Sequence, residues 1–166
     1  DRLGQIEPKV LFTVDGYTYQ GKPHDVMGKV QDIISEIPSI TNCVIVPYLS
    51  EKQCWAKTQP TKNSAAAIIS SDLLHERVRV REFKAILKTP PITSFEQLPF
   101  DHPLYILFSS GTTGKPKCIV HGQGGTLLQH IKELGLHGNL TSEDNLMFYT
   151  TPSWMMWHWL VSSLAS

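Results

Sequence analysis

Lys9-Val-Leu-Phe-Thr-Val14, an apolar stripe at Val26, Met27, Val30, Ile33, Ile34 and Ile37, and Cys43-Val-Ile-Val46 together decide the fold. The first run is β-rich and bounded by Pro8 and by Asp15-Gly16, which reads as a strand entering a turn. The stripe falls at i, i+1, i+4, i+7, i+8 and i+11, one face of a helix that begins after Pro23 and is stopped by Pro38. The third run is apolar without alternation, as expected of a strand buried on both faces. Strand, helix and strand within about forty residues make a βαβ unit, whose strands should be parallel with a right-handed crossover.

Working outward, residues 50–99 read as an irregular connection. Lys57 to Asn63 is polar and holds Pro60, Ala65 to Leu74 suits a helix, Val78 to Leu87 mixes apolar and charged residues, and Thr89-Pro90-Pro91 interrupts any regular element. Order returns over 100–166. Leu104-Tyr-Ile-Leu-Phe108 is an apolar strand, Cys118-Ile-Val-His121 a short one and Leu146-Met-Phe-Tyr149 another. Thr126 offers an N-cap to a helix carrying Leu127, Leu128, Ile131 and Leu134, with Gly138 near its end, and Trp154 to Leu164 reads as a final helix. The expected class is α/β, a mainly parallel sheet with covering helices in one continuous piece, 1–166.

Composition bounds the function. Fifteen Lys and Arg balance fifteen Asp and Glu, so no whole-chain attraction to nucleic acid or to an anionic membrane is expected. No apolar run approaches the ~18–20 residues of a membrane span. Cys43, Cys54 and Cys118 lack metal-site or disulfide-framework spacing and read as reduced thiols. The seven histidines show no metal-ligand spacing. His121 follows the 104–117 region closely, His130 and His137 read as solvated or capping, and none is assigned as a base. Asp1 without a leader and Ser166 inside an apolar run read as cut ends of a longer polypeptide.

Ser109-Ser-Gly-Thr-Thr-Gly-Lys-Pro-Lys117 carries the chemistry. It places four hydroxyls, two glycines and two lysines directly after an apolar strand. Gly111 and Gly114 allow positive φ and a close approach of backbone N–H groups to an anion. Ser109, Ser110, Thr112 and Thr113 add donors without bulk, and Lys115 and Lys117 add charge. The spacing is not that of the P-loop, which needs four residues between its glycines and a hydroxyl after the lysine. Here two intervene and Pro116 follows Lys115. A strand, not a helix N-terminus, follows the loop. By composition alone, a surface turn and a polyphosphate cradle remain equally open.

The ordered string resembles the signature of the adenylate-forming superfamily: the acyl- and aryl-CoA synthetases, peptide-synthetase adenylation domains and luciferases. It departs only at Cys118, where that family generally has Gly. Phe100 to Phe108, Lys117 to His121, Gly124 to Glu133, Leu136 to Asn139 and Trp154-Met-Met-Trp157 resemble the acetoacetate-activating branch. Two positions depart from that branch: Ser153 stands where Gly is usual and His158 where Asn is common.

The resemblance implies part of the large N-terminal domain of an adenylate-forming ligase. A carboxylate would attack the α-phosphate of Mg·ATP, and coenzyme A would then displace AMP. It implies that Ser109, Ser110, Gly111, Thr112, Thr113, Gly114, Lys115 and Lys117 hold the ATP phosphates. Trp154, Met155 and Met156 would line the acyl pocket, although core packing explains that triplet equally well. The small-molecule partners would be acetoacetate, ATP and coenzyme A, with Mg2+ on the nucleotide, in the cytosol. No catalytic residue and no metal ligand is assigned within the chain, because the family's adenine, ribose and catalytic-lysine motifs fall downstream of Ser166. Activation of acetate or propionate, and a truncated product without activity, are the alternatives.

Overall fold

The computed structural model describes residues 2–49, 77–109 and 114–165, and the chain divides into two compact units, Leu3–Thr93 and Ser94–Ser166. The helix expected over Ala65 to Leu74, the loop expected over Lys57 to Asn63, and Cys54 lie outside the described residues.

In the first unit, β1 (Val10–Val14), β4 (Asn42–Val46) and β5 (Arg79–Glu82) form a parallel sheet in the order β1-β4-β5. Val10 pairs with Asn42 through to Val14 with Val46, and Asn42 pairs with Arg79. The helix between the first two strands is α1 (Met27–Glu36), so the βαβ reading holds. Met27, Val30 and Ile34 from α1 pack with Ile40, Cys43, Ile45 and Val78 in one buried cluster. Burial pushes the Cys43 thiol up to about 11, which keeps it protonated and unreactive at neutral pH.

Two features of this unit lie beyond the sequence reading. β2 (Gly16–Tyr19) and β3 (Lys22–Asp25) form an antiparallel hairpin inserted between β1 and α1. Its two-residue turn has positive φ at Gln20 (49°) and Gly21 (75°), the pattern of a type I′ turn. β5, followed at once by α2 (Phe83–Ile86), arises from a segment whose alternating charges hide it. Arg79 and Glu82 are exposed while Val80 packs on the core.

Polar contacts tie the ends of these elements. The Asp25 carboxylate, just before the N-cap Val26, accepts the Met27 N–H at 2.7 Å and so satisfies one donor of the first turn of α1. Asp15 is buried, and its carboxylate accepts the Leu49 N–H at 2.7 Å. A side chain at Gly16 would collide with Leu49 and with the His24 carbonyl. At the other end of α1, the Arg77 guanidinium donates to the carbonyls of Ile34 and Ile37, which a helix C-terminus otherwise leaves unpaired. Arg77→Ala is therefore expected to lower unfolding stability by about 1 kcal/mol, with Arg77→Lys recovering part of it, as read from urea midpoints.

In the second unit, β6 (Pro103–Ser109) and β7 (Lys117–Gly122) form an antiparallel pair, so among the described residues parallel pairing is confined to the first unit. The helix α3 (Gln123–Ile131) begins immediately, with Gly122 as its N-cap. Thr126 is not the cap: its hydroxyl donates back to the Gly122 carbonyl at 2.8 Å, because the chain turns helical four residues earlier than the hydroxyl pattern suggests. Gly124 lies against the Phe100 ring, where a Cβ would clash. A π-helical turn, Lys132–His137, extends α3 to Gly138.

The stripe expected to be covered is partly bare. Leu127, Leu128 and Ile131 are exposed, whereas His130 and Leu134 are buried. Leu146–Tyr149 is not a strand: among the described residues no strand pairs with it, and Met147 and Tyr149 are exposed. Phe148 packs instead on Trp154 and Trp159. The last helix is α4 (Met155–Ser162).

Candidate functional site

The hydroxyl- and lysine-bearing segment connects β6 to β7. Ser110, Gly111, Thr112 and Thr113 lie outside the described residues. The flanks are described. Ser109 ends β6, Lys117 begins β7, and the two are register partners. Gly114 has φ of 122° with nothing within 4 Å of where a Cβ would stand. Glycine is required there for the backbone conformation rather than for space. Lys115 and Lys117 are exposed, so both ammonium groups are available to an anion.

Side chains alternate along a strand, and directly opposed residues share a face. Tyr105, Leu107 and Ser109 therefore stand on one face of β6, opposite His121, Ile119 and Lys117 of β7. A cleft of about 300 Å³ is lined by Tyr105, Leu107, His121, His130, Met155 and His158, among others. Ser109 is two residues beyond Leu107, about 7 Å along the strand. The cleft floor thus runs toward the mouth of the loop.

The acyl-pocket triplet is divided by the structure. Met155 lines the cleft. Trp154 is the N-cap of α4 and is exposed, its ring 6.2 Å from Phe148. Met156 is half-buried. Tyr105 and Ser162, not singled out from sequence, organise the cleft's inner end together with His130, expected to be solvated or capping, and His158, the residue that departs from the branch pattern. His130 Nδ1 is 2.6 Å from Ser162 Oγ, and that hydroxyl donates to the His158 carbonyl at 3.0 Å. Since the hydroxyl proton is committed to the carbonyl, His130 Nδ1 carries the proton of the shorter bond. The expectation that His130 is solvated fails because it sits on the inward face of α3, in register with Leu134. His137 is exposed and 3.6 Å from Glu133.

The cleft disfavours charged imidazoles. Burial lowers the pKa of His158, with further lowering from His130 and His121. Burial also lowers that of His130, opposed by Glu133 and reinforced by His121. A depressed folded pKa means that the unfolded chain binds more protons as pH falls below the ordinary value of 6.5. The stabilisation is complete above that value and is lost as pH drops through the folded pKa. Acidification from pH 7 to 5 is expected to lower the melting temperature, and His130→Gln to flatten that dependence, by calorimetry across pH.

Among the described residues, no group of three or more His, Cys, Asp or Glu side chains is arranged to hold a metal. No described helix is long and apolar enough to cross a membrane.

The chain matches the AMP-binding enzyme family model over residues 1–165. The chain belongs to that family. It is 45% identical over 168 residues to acetoacetyl-CoA synthetase of Danio rerio, an alignment covering 99% of this chain and 23% of the relative. It is also 43% identical over 166 residues to malonamoyl-CoA synthetase of Penicillium aethiopicum, covering 100% and 21%. The solved acetoacetyl-CoA synthetase from Streptomyces lividans superposes with a TM-score of 0.77 at 39% identity, over 98% of this chain and 22% of that one. The chain thus spans about a quarter of the length of these relatives.

Proposed function

We propose that this chain is the phosphate-gripping part of an AMP-forming acid–thiol ligase that converts acetoacetate to acetoacetyl-CoA in the cytosol. The observation that carries the reading is the shared face of Ser109, Lys117 and the cleft-lining Tyr105 and Leu107. One surface then offers both a polyphosphate grip and an apolar seat for a small acid.

The chemical difficulty is repulsion, since a carboxylate must approach a polyanion. Ser109 to Thr113, Gly114, Lys115 and Lys117 would hold the β- and γ-phosphates, drawing charge away from the α-phosphorus and stabilising pyrophosphate as it departs. Magnesium would arrive with the nucleotide as Mg·ATP, held mainly by phosphate oxygens, as is usual for that ion. Coenzyme A would then take the acyl group from AMP. Adenine and ribose binding and the second half-reaction are assigned to the rest of the polypeptide, in keeping with the share of its relatives that this chain spans.

The acid is read as a short one with a carbonyl at its third carbon. The acetoacetyl and malonamoyl groups in the names of two relatives both have one. The test is an acid panel on the full-length protein, scoring acyl-CoA and AMP by mass spectrometry. Acetoacetate should exceed acetate, propionate and butanoate in kcat/KM. A preference for acetate or propionate would reject this choice of acid, and absence of AMP with every acid would reject the ligase.

A further inference from the structure

His158 stands one helical turn after Met155 on α4 and lines the same cleft. Its ring is clamped: the Tyr105 ring lies 4.0 Å away at 30°, and the Trp157 ring meets it edge-on at 5.3 Å. Nδ1 is buried with no hydrogen-bond partner, and it is the one such side-chain atom among the described residues. Leaving an N–H donor orphaned in the interior costs more than leaving a lone pair unused. The neutral ring therefore keeps its proton on Nε2, which is not among the buried, unpartnered atoms. His158 lines the cleft with the apolar Leu107 and Met155 and with the polar His121, Gln129 and His130, and among the described residues no carboxylate lines it to compete for the Nε2 proton. Such a donor suits a neutral carbonyl oxygen.

We propose that His158 determines acid specificity by donating a hydrogen bond from Nε2 to the carbonyl oxygen at the third carbon of the substrate. This rests on the reading of the cleft as the acid's seat. The donor is directional, so an acid of equal length without that oxygen would leave the N–H unpaired on closure, which is the stronger basis for discrimination. Tyr105 and Trp157 hold the ring plane, and the Ser162 bond to the His158 carbonyl holds its backbone.

The test uses the full-length protein. His158→Phe keeps an aromatic ring against Tyr105 but removes the donor, and His158→Gln places an amide N–H near the position of Nε2. The ratio of kcat/KM for acetoacetate to that for butanoate is expected to fall about tenfold to a hundredfold in His158→Phe, and to recover substantially in His158→Gln. A ratio unchanged in His158→Phe, or an equal loss for both acids, would overturn the proposal by showing a merely structural ring. A second readout does not depend on turnover. The 15N signal of His158 Nε2 should shift when acetoacetate is added and shift far less with butanoate. No difference between the two acids overturns the proposal even in an active ligase. A selective shift supports it even if no AMP is formed, in which case it is the ligase reading that fails.

Discussion

Lys117→Ala in the full-length protein is expected to lower kcat/KM for ATP by about 10²- to 10³-fold, the scale on which loss of one donor aimed at developing charge is felt. Lys117 opens β7, faces Ser109 across the hairpin mouth and is exposed. Its ammonium is therefore positioned by the strand ladder without being used by the fold. Removing an exposed side chain costs stability little, within about 0.5 kcal/mol, so thermal unfolding should barely move while turnover collapses. Lys117→Arg should retain more activity than Ala, because charge survives although its geometry differs. Equal loss of stability and activity would mean that Lys117 supports the hairpin rather than the nucleotide. Unaltered use of ATP would remove the loop from the chemistry altogether.

The largest expected loss of stability is in the other unit. Ile45→Ala should cost about 2–5 kcal/mol and Ile45→Val about 0.5–1.5 kcal/mol. Ile45 is fully buried in β4, the central strand between β1 and β5, and belongs to the same cluster as the α1 residues Met27, Val30 and Ile34. Strands on both sides restrict collapse around the vacated space, so the cavity term adds to the lost transfer energy. Chemical denaturation of the full-length protein, following the transition of this unit, separates the two variants. A cost below about 1 kcal/mol for the alanine form would contradict the placement of the core.

How much of this was legible beforehand differs by element, for physical reasons. The βαβ unit could be read because its residues are buried in the pattern that the sequence displays: Met27, Val30 and Ile34 on one helical face, and Cys43, Val44 and Ile45 in an unbroken run. The β2–β3 hairpin could not be read from hydrophobic pattern. All of its strand residues but Gly16 are exposed, and its one local signal was the glycine at position 21. β5 was hidden because only Val80 of its four residues faces the core. Leu146–Tyr149 failed in the opposite direction: it has β-forming residues, but a strand is defined by a partner, and none pairs with it among the described residues.

The site divides in the same way. Ser109 to Lys117 stood out because glycine, hydroxyl and lysine types at fixed spacing are a chemical statement that needs no tertiary context. The grouping of His130, His158 and Ser162 is a tertiary event. His130 and Ser162 are 32 positions apart in sequence and meet only when α4 packs near α3. A polar residue on the inward face of a helix, at His130, was the available hint.

The most direct test of the central claim, that a carboxylate attacks the α-phosphate of a nucleotide gripped at 109–117, follows oxygen. Acetoacetate labelled with 18O in its carboxyl group is turned over by the full-length protein with ATP and coenzyme A, and the products are analysed by mass spectrometry. One 18O should appear in AMP, with pyrophosphate unlabelled. Label in inorganic phosphate, with ADP as the nucleotide product, would contradict it.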